Sequence, residues 1–228
     1  MAAFLKDGTI ADFQAFNHVV YGRIDDRYYA TWDLLNQQQR FTMRALKGIR
    51  KRDTEKLKLN LLVSMSFLMA IANRFHINVE EEMWRRFPTL CSYCGKHICA
   101  CKTIKPRNRK EVVIDNRLRP KNMLGFQKMF AKIYPPAKRT LADAGVHLAE
   151  EAGEVSEAIH NFIGQHKMRQ LEDIKLEIAD YLSCLFGVAN SAKINVAGEL
   201  ARMFKNNCHV CHKAPCTCTF ASVTRYRS

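Results

Sequence analysis

One pattern occurs twice in this chain. A shift of 117 positions lays residues 56–101 on 173–218 without a gap: Ala72-Asn73 falls on Ala189-Asn190, Ile77-Asn78-Val79 on Ile194-Asn195-Val196, and Cys91, Cys94, Cys99 and Cys101 on Cys208, Cys211, Cys216 and Cys218. Further upstream the shift is 113, which pairs Phe13-Gln14 with Phe126-Gln127 and Ala45 with Ala158 and leaves the second copy a loop four residues longer. Self-similarity of this length marks one structural unit used twice. The copies differ where it matters chemically: Glu151, Glu154, Glu177 and Asp180 of the second stand where the first has Gln38, Phe41, Asn60 and Val63. The second half reads as chemical and the first as structural.

Each copy reads as helices followed by a cysteine cluster. Helices are expected over Asp12–Tyr21, Asp26–Ile49, Thr54–Phe75 and Val79–Phe87, then over Lys121–Ile133, Ala137–Ile163, Leu171–Ala192 and Val196–Asn206, with Pro88, Pro135-Pro136 and Gly164 as stops. Only Glu111-Val112-Val113-Ile114 invites an extended reading. The expected fold is all-α: a helical unit at 1–88, a cysteine knot at 89–102, a basic connector at 103–120, a second helical unit at 121–207, a second knot at 208–219 and a tail at 220–228.

Nine cysteines without a secretory-type apolar run in residues 1–20 argue for an intracellular, cytoplasmic protein and for metal ligation over disulfides. No stretch is long enough to span a bilayer. The spacing CxxC, four residues, CxC appears twice, and four thiolates that close together form a tetrahedral zinc site, so two structural Zn²⁺ per chain are expected. Gly95 and Pro215 suit the tight turns. His97, His209 and His212 read as bystanders, and Cys184 stands outside both clusters.

A net charge of +14 suits a polyanionic partner, a nucleic acid or a nucleotide polyphosphate. The connector region concentrates Lys102, Lys105, Arg107, Arg109, Lys110, Arg117, Arg119 and Lys121. Acidic residues concentrate elsewhere: 8 of 22 lie between Glu150 and Asp180. At helical spacing Leu148, Ala152, Val155, Ile159 and Phe162 form an apolar stripe, with Glu151 and Glu154 about 60° and 120° to one side. Ile174, Ile178, Tyr181, Leu185 and Val188 form another, with Glu177 and Asp180 on the same shoulder. The small residues Ala158 and Cys184 fall between the members of each pair. Acidic residues at such spacing usually form a solvated face. Two matching pairs, both lost in the sister copy, instead point to hard divalent cations, Mg²⁺ or Mn²⁺.

The run Leu148-Ala-Glu-Glu-Ala-Gly-Glu-Val-Ser-Glu-Ala-Ile159 followed by Glu177-Ile-Ala-Asp180 resembles the ExxE…ExxD signature of the MazG-like all-α nucleoside triphosphate pyrophosphohydrolases, relatives of dimeric dUTPases and dCTP pyrophosphatases. The resemblance extends from about Phe126 to Asn207 and includes Ile194-Asn195-Val196 and Asn207. Where the family commonly has a lysine four residues before that asparagine, this chain has Met203, with Lys205 nearby. The resemblance implies hydrolysis of a nucleoside triphosphate to the monophosphate and pyrophosphate, with Glu151, Glu154, Glu177 and Asp180 as catalytic Mg²⁺ ligands. Lys175, Lys205 and Asn207 are expected to bind substrate, Lys167 and Arg169 are weaker phosphate candidates, and Glu157 is a better outer-shell candidate than Glu150. Related enzymes assemble from several such units, so a homodimer or an internal pseudo-dimer would serve; Tyr28, Tyr29 or Trp32 could then close a base pocket. The alternatives are a zinc-containing nucleic-acid-binding protein on a MazG-like scaffold and a nucleotide sensor without turnover.

Overall fold

The computed structural model describes residues 3–104 and 106–226, and among these the fold is all-α, without strands. Helices run over Ile10–Tyr28 (α1), Thr31–Lys51 (α2), Thr54–Arg74 (α3) and Val79–Arg86 (α4) in the first half. The second half repeats them as Met123–Ile133 (α5), Leu141–Gln165 (α6), Met168–Ser191 (α7) and Val196–Met203 (α8), and a short α9 follows at Phe220–Thr224. Side-chain caps set several starts: Thr9 and Asn122 accept the N–H groups of Asp12 and Gly125, and Asn78 and Asn195 those of Glu81 and Gly198. Several boundaries differ from the sequence expectation. Gly164 is no stop, since α6 runs to Gln165 and α7 starts at Met168, so the four extra residues of the second copy lengthen these helices and not the loop. Helix α8 ends at Met203. Asp26 lies inside α1 and begins no new helix; the break comes at Tyr29-Ala30, where the Asp33 carboxylate accepts the Ala30 N–H at 2.9 Å. After the prolines a 3₁₀ turn at Pro136–Lys138 intervenes, and Thr140 caps α6. Residues 111–114 join no sheet.

The repeat is legible in individual bonds. Gln14 Nε2 donates to Asn73 Oδ1 and the Ile77 carbonyl, and its Oε1 accepts the Val79 N–H. Gln127 makes the same three bonds to Asn190, Ile194 and Val196, at 3.1, 2.7 and 3.0 Å. Each clamp ties the first helix of a half to the turn entering its last helix. Gln127→Leu keeps the volume but leaves a buried N–H and C=O unpaired, so a loss of roughly 3 kcal/mol is expected. Urea unfolding measures it; an unchanged midpoint would remove the clamp from the account.

The halves do not simply sit side by side. Helices α2 and α6 pack at the centre, where the Thr42 and Tyr181 hydroxyls meet at 2.6 Å and Gly145 allows close approach: a Cβ there would lie 2.6 Å from Ile49 Cδ1. Helix α4 packs on α7 of the other half, and α8 reciprocally on α3. Matching ion pairs pin these crossings. Arg85 bonds Glu82 and Glu172, which also holds Lys175, while Arg202 bonds Glu199, which with Glu55 holds Lys58. The knots cross as well: Cys99 N–H donates to the Ile133 carbonyl of α5, and Cys216 N–H to the Val20 carbonyl of α1. Each half therefore roofs the other. Helix α3 is buried on nearly every turn, yet no single helix among the described residues is long and apolar enough to cross a membrane.

Candidate active site

Helices α6 and α7 pair through the apolar stripes, with Leu148, Val155 and Ile159 facing Ile174, Ile178 and Tyr181 in the core. This brings one carboxylate oxygen each of Glu151, Glu177 and Asp180 within 4.8 Å of one another. Glu154 is exposed at the rim, within interaction range of Glu177. Two oxygens of the cluster, Glu151 Oε2 and Glu177 Oε2, are buried without a hydrogen-bond partner. Burial first, then the neighbouring Asp180 and Glu154, pushes the Glu151 carboxyl up to about 8 and that of Glu177 up to about 7. Orphaned, crowded carboxylate oxygens fit a hard divalent cation held by oxygen ligands.

The first half supplies a residue that the sequence reading missed. From the end of α4, Arg86 donates through Nε and Nη2 to the two oxygens of Asp180, at 3.1 and 2.6 Å, with both side chains almost fully enclosed. Burial alone would lower the guanidinium pKa, but the Asp180 hydrogen bonds and the charges of Asp180, Glu177 and Glu151 hold it above its ordinary value. The signal was in the repeat: Arg86 plus 117 is Met203, the position where the resembled family commonly carries lysine. Because the last helices cross over, the cation comes from the other half.

Beside the cluster opens a cavity of about 490 Å³, within the usual range for small-molecule sites. Glu151, Asp180 and Cys184 form its floor, and Lys138, Arg139 and His147 line one flank. The first knot with Tyr93, Lys102 and Arg109 forms the opposite wall. The counterpart in the first half is lined by Val63, Phe67 and Cys208, the repeat equivalents of Asp180, Cys184 and Cys91, together with Phe41 and Tyr226, but measures only about 80 Å³. Phe41 and Phe67, in place of Glu154 and Cys184, stack there at 5.8 Å, and the Tyr226 ring closes on Phe41 at 6.2 Å. Aromatic side chains plug the space that the second half keeps open.

Three expected substrate contacts lie elsewhere. Lys175 is engaged by Glu172 at the α4–α7 crossing, as its repeat partner Lys58 is by Glu55 and Glu199. Lys205 and Asn207 lead from α8 into the second knot, and neither lines the open cavity; nor do Lys167, Arg169, Glu150 or Glu157. Of the aromatic candidates, Tyr28 and Trp32 are partly exposed, the latter against His160, and Tyr29 is buried in the plugged hollow. The connector is not one free basic surface. Arg117 bonds Asp115, Arg119 bonds Glu80 and Glu81, and Lys102 and Arg109 face the cavity; Lys105 lies outside the described residues.

Within each knot the four cysteines offer sulfurs mutually within 4.8 Å, and none forms a disulfide. Sulfur–sulfur distances of 3.5 and 3.8 Å in the first knot and 3.5, 3.6 and 3.9 Å in the second bracket the roughly 3.8 Å edge of a tetrahedron built on Zn–S bonds. Backbone N–H groups of Val210, Thr217 and Cys218 point at Cys208, Cys211 and Cys216 sulfurs, as suits thiolates. The turns match, with Gly95 at φ +64° and its counterpart His212 at φ 58°. The two knots could therefore hold zinc.

Residues 139–213 match the family of the MazG nucleotide pyrophosphohydrolase domain. The second half is thus similar to the MazG domain, a family described as nucleotide pyrophosphohydrolases. No curated protein and no solved structure matches the chain.

Proposed function

We propose that the protein is a divalent-metal-dependent nucleoside triphosphate pyrophosphohydrolase with one working and one plugged site, descended from a tandem duplication. The observation that carries this reading is the convergence of Glu151, Glu177 and Asp180, with two orphaned oxygens, inside the segment that matches the MazG domain. These three residues, with Glu154 at the rim, would hold Mg²⁺ or Mn²⁺, which supplies Lewis-acid stabilisation of the phosphates and a more acidic bound water. Arg86 fixes the Asp180 carboxylate in one orientation and offsets part of the cluster's negative charge. Lys138 and Arg139 add charge on the flank. Addition of water across the α–β anhydride breaks one P–O bond and yields monophosphate and pyrophosphate.

The two knots are proposed as structural Zn²⁺ sites, consistent with a reducing, cytoplasmic compartment. Since each half already covers the other, the reading does not call on a second copy of the chain. Nucleic-acid binding is not favoured, because Arg117 and Arg119 of the connector are paired with carboxylates and Arg109 is turned toward the cavity. The test is a panel of ribo- and deoxyribonucleoside triphosphates with Mg²⁺ or Mn²⁺, assayed for pyrophosphate. At least one should be cleaved, and Glu177→Gln should cut its turnover by roughly 100-fold or more. Silence across the panel, or full activity in the variant, overturns the assignment.

A further inference from the structure

We infer that Arg109, aimed by the first cysteine knot, is a polyphosphate-gripping residue of the second half's cavity, and that this is one reason the plugged half persists. The inference rests on the pyrophosphohydrolase reading of that cavity. Two arginines reach Asp180, and they are bound very differently. Arg86 is enclosed and committed by two short bonds. Arg109 is half exposed, and its polar contacts are long: Asp180 Oδ2 at 3.9 Å and Ser92 Oγ at 3.4 Å. Such a guanidinium can turn to a stronger anion without abandoning a tight pair, whereas Arg86 would leave Asp180 bare.

The knot sets its position. Its guanidinium lies 5.2 Å from the Tyr93 ring centroid, and the adjacent Lys110 N–H donates to the Tyr93 carbonyl at 3.1 Å. Tyr93 and Ser92 lie between ligands Cys91 and Cys94, so closure of that knot fixes the platform. On the other side Tyr134 donates its hydroxyl to Cys91 Sγ at 3.6 Å, which seats the knot on the cavity's own wall. The repeat offers an internal comparison. Where the acids survive, Arg109 lines the cavity; where they are lost, Tyr226 lines the corresponding hollow, packed on Phe41 as a plug. Roof and floor have changed together, as expected if the two meet one anionic ligand.

Calorimetric titration of the full-length, zinc-replete protein with inorganic tripolyphosphate in Ca²⁺ provides the test. Arg109→Ala should weaken binding about 10- to 100-fold, the cost of one charge-assisted phosphate contact. Arg109→Lys should recover part of it. Tyr93→Ala should approach the Arg109→Ala loss with zinc content unchanged, and Tyr93→Phe should lose much less, because it keeps the ring face over which the guanidinium lies. In turnover the same losses should appear in KM before kcat. Wild-type affinity in Arg109→Ala, equal loss in both Tyr93 variants, or no tripolyphosphate binding by the wild type each overturns the inference. Pyrophosphate release from nucleotides with unaltered tripolyphosphate binding in Arg109→Ala would leave the reaction standing and remove only Arg109. Binding that depends on Arg109 without release from any nucleotide would do the reverse.

Discussion

Glu151→Gln is expected to abolish pyrophosphate release and, at the same time, to raise the melting temperature of the metal-free protein above pH 7. Both effects come from the same oxygen. Glu151 Oε2 is buried without a partner, and burial with the surrounding Asp180, Glu154 and Glu177 charges moves its carboxyl from 4.5 to about 8. A folded-state pKa raised above the unfolded value means that the native state holds the proton more tightly. Stability is then greatest below about 4.5 and is lost as pH rises toward 8. Glu177, raised to about 7, adds to the same slope. A neutral amide removes the strained charge, and the protein already carries that solution: Gln38, the repeat counterpart of Glu151, is fully buried in the first half. Removing a metal ligand should still reduce turnover by roughly 100-fold or more. Calorimetric melts of wild type and variant at pH 5 and pH 8, with and without Mg²⁺, check the crossover. In the wild type the melting temperature should fall from pH 5 to pH 8 without Mg²⁺ and recover with it, and the variant should be flatter in both. A variant that melts lower than metal-free wild type at pH 8 would mean that these carboxylates are already satisfied by the protein.

The same comparison between halves explains what could be read from the chain in advance. The acid pairs were legible because helical spacing fixes which residues share a shoulder, and the antiparallel pairing of α6 with α7 follows from a short loop. The cysteine clusters were legible because their sulfurs are local in sequence. The crossing was not. Nothing in the periodicity of α4 says that its polar end will lie on α7 rather than on its own half, so Arg86 was passed over and Lys175, on the acidic helix itself, was preferred. Lys175 turned out to be held by Glu172, one of a set of ion pairs that the plugged half keeps through Lys58. Reading the repeat in both directions would have found Arg86 at the Met203 position. It would not have found Arg109, whose place depends on a connector with no periodic signal, tied down by single bonds such as Lys110 N–H to the Tyr93 carbonyl.

Withdrawal of metal from the knots is the other change with a large expected effect, and it should fall hardest on the second knot. Cys208, Cys216 and Cys218 are buried, and the helix end before them places Phe204 against Phe13, Phe16 and His209 in one aromatic cluster. The Cys208 thiol is drawn below its ordinary range, first by the Cys216 sulfhydryl and then by backbone N–H groups of Cys211 and Val210, so a thiolate is prepared for a cation. Without one, clustered sulfurs in an apolar hollow would repel, and the Cys216–Val20 bond that ties the halves would lose its support. Structural zinc contributes on the order of 10 kcal/mol in small zinc domains, comparable with the whole stability of a typical protein. A strong zinc chelator should therefore unfold the protein cooperatively at room temperature or lower its melting point by more than about 10 °C. Cys208→Ser should do more damage than Cys101→Ser, whose knot is the more exposed. Elemental analysis should find two zinc ions per chain beforehand and one in each variant. A chelated protein with no zinc and an unchanged melt would show that the thiols pack as ordinary small apolar groups, and the clamp between the halves would then have to be carried by the α2–α6 packing, α4, α8 and their ion pairs.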